Sequence, residues 1–442
     1  MIFLNLMDII SNTPCSCGKV HSFDCKVISG TNAVKKLPDA AAAFNAKKAF
    51  VVSDANTHRA AGDTVCKLLD DAGISYTSYC FKKETPEPDE ANVGLAFMYY
   101  PADCDIIIGI GSGVINDICK IVANVAHKPY IIVATAPSMD GYASATSSMT
   151  RDGIKISLPS KCPDVIIGDT DILCTAPVKM MKSGLGDMLA KYVSIAEWRI
   201  AHIINGEYYC ERVAQLVRDS LQKCIDNAPG LLHCDKDAVL AVFDGLVTCG
   251  AAMNLTGVSR PASGVEHYIS HIWDMRGIEF DIPVEFHGIQ CAVGTLMTAK
   301  LYEKLATISP DKQKALKHAS EFDFDNWSNM LRGFLGKAAE SMIALEAKEQ
   351  KYNPQKLAPR LDVIFDNWSA ILNVVKEEIP PVADLKKLYR SIGLPETPEQ
   401  IGIDKSIVPM TFKASKDIRN KYVLSHLAWD LGILDELCNE LK

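Results

Sequence analysis

Three of the ten histidines in this 442-residue chain fall within one stretch, GVEHYISHIWDMRGIEFDIPVEFHG: His267, His271 and His287. Isolated histidines are mostly surface or satisfied core residues, so three at this spacing point to a metal or to a proton path. His267 and His271 are four apart, on one face of a helix. That geometry suits shared metal binding, or one ligand beside one group outside the ligand set. Pro283 breaks the chain before His287, which opens a second helical pattern, FHGIQCAVGTLMTAKLY. Upstream, SGLGDMLAKY carries Asp187 near what reads as a helix start, where an acid can simply favour the helix dipole. One carboxylate with two imidazoles leaves positions open for water or substrate, which is the pattern of catalytic zinc. Arg260, in LTGVSRPASGVEH, reads either as a phosphate grip using two parallel hydrogen bonds or as an ordinary surface arginine.

A second group of residues suits a phosphorylated cofactor. DIIIGIGSGVINDICKIVA sets Gly109, Gly111 and Gly113 between an apolar strand and a helical pattern. Small residues there let backbone N–H groups approach a phosphate, and the helix N-terminus favours negative charge. The next strand ends in ATAPSMDGYAS, where Thr135 and Ser138 could bond a cofactor and Asp140 could orient a hydroxyl. The alternative is a serine-rich loop with internal turn bonds. Asp54 closes VVSD at a strand end, where a ribose diol could bind. A further cluster, CSCGKVHSFDC, holds Cys15, Cys17, His21 and Cys25. Those ligand types suit Zn²⁺, but the C-x-C pair departs from the usual spacing, and a polar turn before the first strand is the preferred reading.

These residues need a scaffold, and the chain's texture supplies one. Up to about residue 175, KAFVVSD, ISYTSYCF, DIIIGI, YIIVAT and DVIIGD read as strands alternating with helical stretches such as HRAAGDTVCKLLDDAG and ANVGLAFMYYPADC. Continuous apolar strands between helices imply a parallel, doubly wound sheet covered on both faces. After Pro177 long helical patterns follow with few β-rich runs between them. The expected division is an α/β domain at 1–177 and a helical domain at 178–442. FDNWS occurs twice, at Phe324 and Phe365, and both copies read as helix starts without establishing a repeat. With 48% apolar and 23% charged residues the composition is that of a globular protein, and the formal charge of −8 argues against nucleic acid or an anionic membrane as the main partner. No segment reads as an unbroken bilayer span, and the start, MIFLNLMDIISNTPCSC, lacks a basic region and is interrupted by Asp8. Fifteen cysteines scattered over a long chain read as reduced thiols, so a cytoplasmic location is expected.

Taken together and in this order, GSGVINDICK, TAPSMDGYAS, SGLGDMLAKY, SRPASGVEHYISH and FHG resemble the sn-glycerol-1-phosphate dehydrogenases. These are members of the metal-dependent polyol dehydrogenase group that also includes dehydroquinate synthase. The resemblance covers roughly residues 20–300, and more loosely the helical C-terminus. It implies an N-terminal α/β nucleotide-binding domain with a parallel sheet, an all-α C-terminal domain, and a site in the cleft between them. By the resemblance, Asp187, His267 and His287 are the metal ligands. His271 and Asp140 meet the substrate, together with Asp187 and Arg260. Asp54, Gly111, Ser112, Gly113, Val114, Ile115, Asp117, Thr135, Ala136, Pro137, Ser138 and Ser144 surround NAD(H) or NADP(H). Two positions depart from the pattern. Ser112 stands where relatives often have glycine, and Lys191 stands where an iron-dependent branch places a histidine. The second favours Zn²⁺, with Ni²⁺ or Fe²⁺ as alternatives. The implied reaction is reduction of dihydroxyacetone phosphate to sn-glycerol 1-phosphate, in a homo-oligomer with no nucleic-acid or membrane partner. A plain glycerol or polyol dehydrogenase, a dehydroquinate-synthase-like lyase and a catalytically silent sensor are the competing readings.

Overall fold

The computed structural model describes residues 14–83 and 85–442; most of the apolar opening of the chain, on which the signal-peptide expectation rests, lies outside them. Eight strands are present among the described residues: β1 (Lys26–Gly30), β2 (Lys48–Asp54), β3 (Ser75–Phe81), β4 (Ile106–Gly111), β5 (Tyr130–Ala134), β6 (Thr146–Arg151), β7 (Ile154–Pro159) and β8 (Val165–Asp169). Six form one sheet in the order β1-β8-β5-β4-β2-β3, and every pairing in it is parallel. The expected α/β architecture is therefore present. Every residue of β4, β5 and β8 is buried, as their unbroken apolar runs require. From β2 the chain moves outward to β3 and then returns to the other side of β2 as β4. The strand order thus reverses between β2 and β4, the place where open α/β sheets take their ligands. The antiparallel hairpin β6–β7 stands outside this sheet and was not foreseen; β6 is rich in Thr and Ser, but Ile154, Ile156 and Leu158 of β7 alternate with other residues and were the available signal.

Helices α1 (Asp63–Asp71), α2 (Glu90–Tyr99) and α3 (Gly113–Ala126) alternate with the strands, and α4 (Val178–Leu189) begins the helical half. There follow α5 (Lys191–Asn205), α6 (Glu211–Asn227), α7 (Lys236–Thr256), α8 (Val265–Phe280) and α9 (His287–Leu305), then shorter helices as far as Leu434–Asn439. No strand follows Asp169 among the described residues, so the change of texture falls where the sequence places it.

Packing groups the chain differently from the 177/178 division. One compact unit takes the described residues up to Met188 together with Arg212–Val258; the other takes Leu189–Glu211 and Ser259–Lys442. The physical reason is α7, which packs on the sheet: a Cβ on Gly168 of β8 would stand 2.1 Å from a ring carbon of Phe243. By length and composition α7 could cross a membrane, which the sequence reading had denied of every segment. Its most apolar window is 72% buried, as in the core helix of a folded unit.

The second unit has its own core, built from residues such as Tyr268, Trp273, Tyr302, Leu331 and Trp429, all nearly inaccessible to solvent. The first FDNWS copy does open a helix, Phe324–Leu335. The second spans the junction between Pro354–Asp366 and Trp368–Glu378.

Candidate active site

In the first unit, the glycine motif lies at the carboxyl end of β4. Gly111 ends the strand, Ser112 is the turn, and Gly113, Val114 and Ile115 form the first turn of α3. A Cβ on Gly111 would lie 2.5 Å from that of Ile115, so only glycine lets the helix fold back so tightly. The N–H groups in a first helical turn have no partner within the helix, which makes this turn an anion cradle. Thr135 donates its N–H to the Gly111 carbonyl at 3.1 Å, joining the loop after β5 to the cradle.

That loop, Thr135 to Ser138, is almost wholly buried. Tyr142 Oη donates to the Ala136 carbonyl at 2.7 Å, and Ser183 Oγ to the Ser138 carbonyl at 3.0 Å. On α4, Gly184 approaches so closely that a Cβ would stand 1.9 Å from the Pro137 carbonyl oxygen. Gly184 of SGLGDML is thus a point of close approach inside the helix, and the helix starts earlier than expected, at Val178. Asp187 consequently stands two residues from the C-terminal end of α4, where the dipole disfavours a carboxylate; the dipole explanation fails. Fully buried, Asp187 accepts the Asp140 N–H on Oδ2 at 3.0 Å.

Asp54 ends β2, beside the reversal of strand order. It also caps the short helix Ala55–Thr57, with Oδ1 accepting the Thr57 N–H at 2.8 Å. Burial raises its pKa against the lowering effect of those bonds.

Asp117 faces inward. It pairs with Lys120 at 3.1 Å and accepts the Ser148 N–H at 3.2 Å, so its carboxylate ties α3 to β6. Lys120, which sequence reading missed, is completely buried; its ammonium donates to Gly141 O (3.1 Å), Ser144 Oγ (3.1 Å) and Thr146 O (2.6 Å). Ser144 Oγ in turn donates within its own loop, to Thr146 O at 2.9 Å. The Asp117–Lys120 spacing of three on a helix was the available signal.

In the second unit, α8 carries His267, Ser270, His271 and Asp274, and α9 carries His287, Gln290 and Cys291. The three histidines expected from the sequence do meet. Ring centroids lie 5.1 Å apart for His267–His287, 5.6 Å for His271–His287 and 6.4 Å for His267–His271. His267 Nδ1 lies 2.7 Å from Glu266 Oε1, a contact that fixes the ring and leaves Nε2 on the side away from the acid. His287 Nδ1 lies 2.9 Å from Ser270 Oγ. One donor atom each from His267, His287 and Cys291 falls within 4.8 Å of the others. Oriented imidazoles with a thiol are a donor set that fits a divalent transition ion.

Cys291 was not foreseen; its signal was the spacing of four after His287 on the same helix. Burial opposes ionisation of its thiol, but the electrostatic influence of His267 and His287 and hydrogen bonds to their rings outweigh that and lower its pKa. His271, Asp274 and His287 form a second close group.

One expected site residue, Arg260, is turned elsewhere, and Lys191, which departs from the iron-dependent pattern, serves a loop. Arg260 is buried, and its fork closes on Glu207 (Nε to Oε2, 2.8 Å; Nη2 to Oε1, 2.6 Å), while Nη1 donates to Tyr422 O at 2.8 Å. The bidentate geometry expected for phosphate is spent on a carboxylate, so neither the phosphate grip nor the surface-arginine reading survives. Lys191 donates to Ala262 O at 2.8 Å from a buried position, fastening the SRPASG loop.

Behind the histidines, Glu197 accepts N–H groups from Val265 (2.9 Å) and Leu424 (2.7 Å). Burial and then the neighbouring Glu266 push its pKa up to about 8. Gly264 lies close between the two acids: a Cβ there would stand 2.6 Å from Glu197 Oε2 and 2.7 Å from Glu266 Oε2, so the carboxylates would have to shift.

Several known proteins are similar to this chain. A family profile described as iron-containing alcohol dehydrogenase matches residues 28–177. A glycerol-1-phosphate dehydrogenase (NAD(P)+) of Halalkalibacterium halodurans is 31% identical over 297 residues, covering 66% of this chain and 74% of the relative. One from Geobacillus stearothermophilus is 26% identical over 424 residues, covering 94% of this chain and 96% of that one. Among solved structures, glycerol dehydrogenase from Schizosaccharomyces pombe superposes with a TM-score of 0.61 at 18% identity, over 95% of this chain and 93% of that one; at that identity it speaks for the fold. The sheet, the glycine cradle and the histidine pair are thus carried by a chain that belongs to the glycerol-1-phosphate dehydrogenase family.

Proposed function

We propose that this protein reduces dihydroxyacetone phosphate to sn-glycerol 1-phosphate, reversibly, using NADH or NADPH and one divalent ion. The observation that carries the reading is the His267–His287 pair, its rings turned by Glu266 and Ser270 so that they offer donor nitrogens close together. In this reading Asp187, His267 and His287 hold the ion. The soft thiol of Cys291 and the ammonium at Lys191 favour zinc over iron. When bound, the ion polarises the ketone oxygen and the reduced nicotinamide supplies hydride to the carbon.

The remaining work is the chain's. Gly111 to Ile115 bind the pyrophosphate at the start of α3, and Thr135 to Ser138 line the path beside it. Asp54 takes the ribose diol at the sheet's reversal point and favours NAD over NADP by repelling a 2′-phosphate. Asp140, held through its own N–H by Asp187, orients a substrate hydroxyl. His271 delivers the proton that completes the product alcohol. Asp117, Lys120 and Ser144 keep the cradle's surroundings in shape. The working assembly is a homo-oligomer, which light scattering on the purified chain measures.

The test is NADH oxidation by the metal-replete protein, offered dihydroxyacetone with and without its phosphate, before and after chelation. Turnover that needs both phosphate and metal is expected. Equal rates on the unphosphorylated ketone would make it a polyol dehydrogenase instead, and conversion of a substrate with no net change in NADH would make it a lyase.

A further inference from the structure

The loop that opens the described chain has a chemistry the proposed reaction does not use. Pro14 and Val20 form an isolated antiparallel bridge. Within it Cys15 N donates to Lys19 O at 3.0 Å, and Gly18 N to Cys15 O at 2.9 Å. Gly18 takes φ +82°, a left-handed conformation that favours glycine and lets the chain double back so sharply. The turn brings Cys15 and Cys17 round to His21, and one donor atom from each of the three lies within 4.8 Å of the others. Cys17 Sγ is 3.4 Å from His21 Nε2.

The imidazole is set for ligation. His21 is 1% exposed, and its Nδ1 lies 2.7 Å from the carbonyl oxygen of Leu255, near the end of α7. A carbonyl can only accept, so Nδ1 carries the hydrogen and the lone pair of Nε2 faces the sulfurs; metal-bound histidines are characteristically oriented in this way. Cys25, the fourth residue of the sequence cluster, is turned away. Its free thiol is hydrogen-bonded with that of Cys162, and burial, followed by that neighbour, raises its pKa well above the ordinary value. The polar turn expected from the sequence is therefore present, and it gathers three donors rather than four.

We propose that Cys15, Cys17 and His21 bind a second divalent ion, Zn²⁺ by the softness of two thiolates beside an imidazole, in a structural site that pins this loop to the end of α7. Two S–H protons leave to solvent as two metal–sulfur bonds and one metal–nitrogen bond form, with no change of oxidation state. A donor from beyond the loop completes the tetrahedron. The inference does not depend on the proposed reaction, since its ligands are separate from the residues assigned there.

The experiment counts metal per chain by mass spectrometry of the full protein loaded with Zn²⁺, and records the sulfur-to-metal charge-transfer absorption after Co²⁺ replaces it. Two ions per chain are expected. Cys15→Ser with Cys17→Ser should lose one ion and reduce the charge-transfer band, while the ion lost in His287→Ala remains. Should that double variant fail to fold, alkylation of the unmodified protein by N-ethylmaleimide decides. Cys15 and Cys17, both partly exposed, should resist the reagent with Zn²⁺ and react once a chelator is added. Unchanged metal content and Co²⁺ spectrum in the double variant, or equal alkylation with Zn²⁺ and with chelator, would overturn the proposal and leave an ordinary thiol–imidazole hydrogen bond.

Discussion

Glu266 is adjacent to His267 in sequence, and its carboxylate reaches back to the imidazole Nδ1 while also accepting the Gly264 N–H at 2.8 Å. An ionised acceptor at Nδ1 fixes the ring and raises the basicity of Nε2. Glu266→Gln keeps the size and removes the charge. Metal affinity should fall by about 10- to 100-fold, read by competition against a chelator; unchanged affinity would mean that His267 needs no such support. Arg260 makes the opposite point. Its fork matches the Glu207 carboxylate, and lysine cannot reproduce two parallel bonds. Arg260→Lys should lower the melting temperature and leave the preference for phosphorylated over free dihydroxyacetone unchanged. A collapse of that preference at constant melting temperature would return Arg260 to the substrate.

Among the elements, α4 does more than carry Asp187. Gly184 brings its backbone against the Pro137 carbonyl, which no side-chain rotation can relieve. Gly184→Ala should therefore cost about 1–3 kcal/mol of stability and, if the proposed cofactor role of Thr135 to Ser138 holds, raise the KM for NADH more than that for the ketone. Denaturant melts and paired KM values check both. Helix α3 works in the same way from the other side of the loop: Lys120, buried beside Asp117, holds Gly141, Ser144 and Thr146 with one ammonium. The loop is thus shaped by a buried cation.

At the scale of the whole molecule, the buried acids of the second unit bear on stability and its pH dependence. Arg360 holds Asp430 by two bonds, Nε to Oδ2 at 2.6 Å and Nη2 to Oδ1 at 2.7 Å; losing one partner of so buried a pair costs about 3–5 kcal/mol. Glu197 adds a pH dependence. The folded chain keeps its proton up to about 8, whereas an ordinary glutamate releases it near 4.5. The protonated form is therefore the one that folding favours, and this contribution is complete below 4.5 and lost as pH rises through 8. Melting temperature should fall across that window in the unmodified protein and fall less steeply in Glu197→Gln. Parallel curves would show that Glu197 is ionised throughout.

Periodicity and turn chemistry made a good part of this legible in advance. Apolar runs flanked by helical patterns determined a parallel sheet, and a glycine turn after such a run determined a cradle at its carboxyl end, because both depend on residues close along the chain. The spacing of four between His267 and His271, with Pro283 ahead of His287, set two helices in train for the same reason. What only the tertiary structure decided is which distant groups satisfy one another: Glu207 for Arg260, Cys162 for Cys25, the Leu255 carbonyl for His21, Phe243 over Gly168. A charged fork or a thiol offers the same chemistry to many partners. Burial selects among them, since a polar group taken from water must find a partner in the space that packing leaves, and that space is made by segments far apart in the chain.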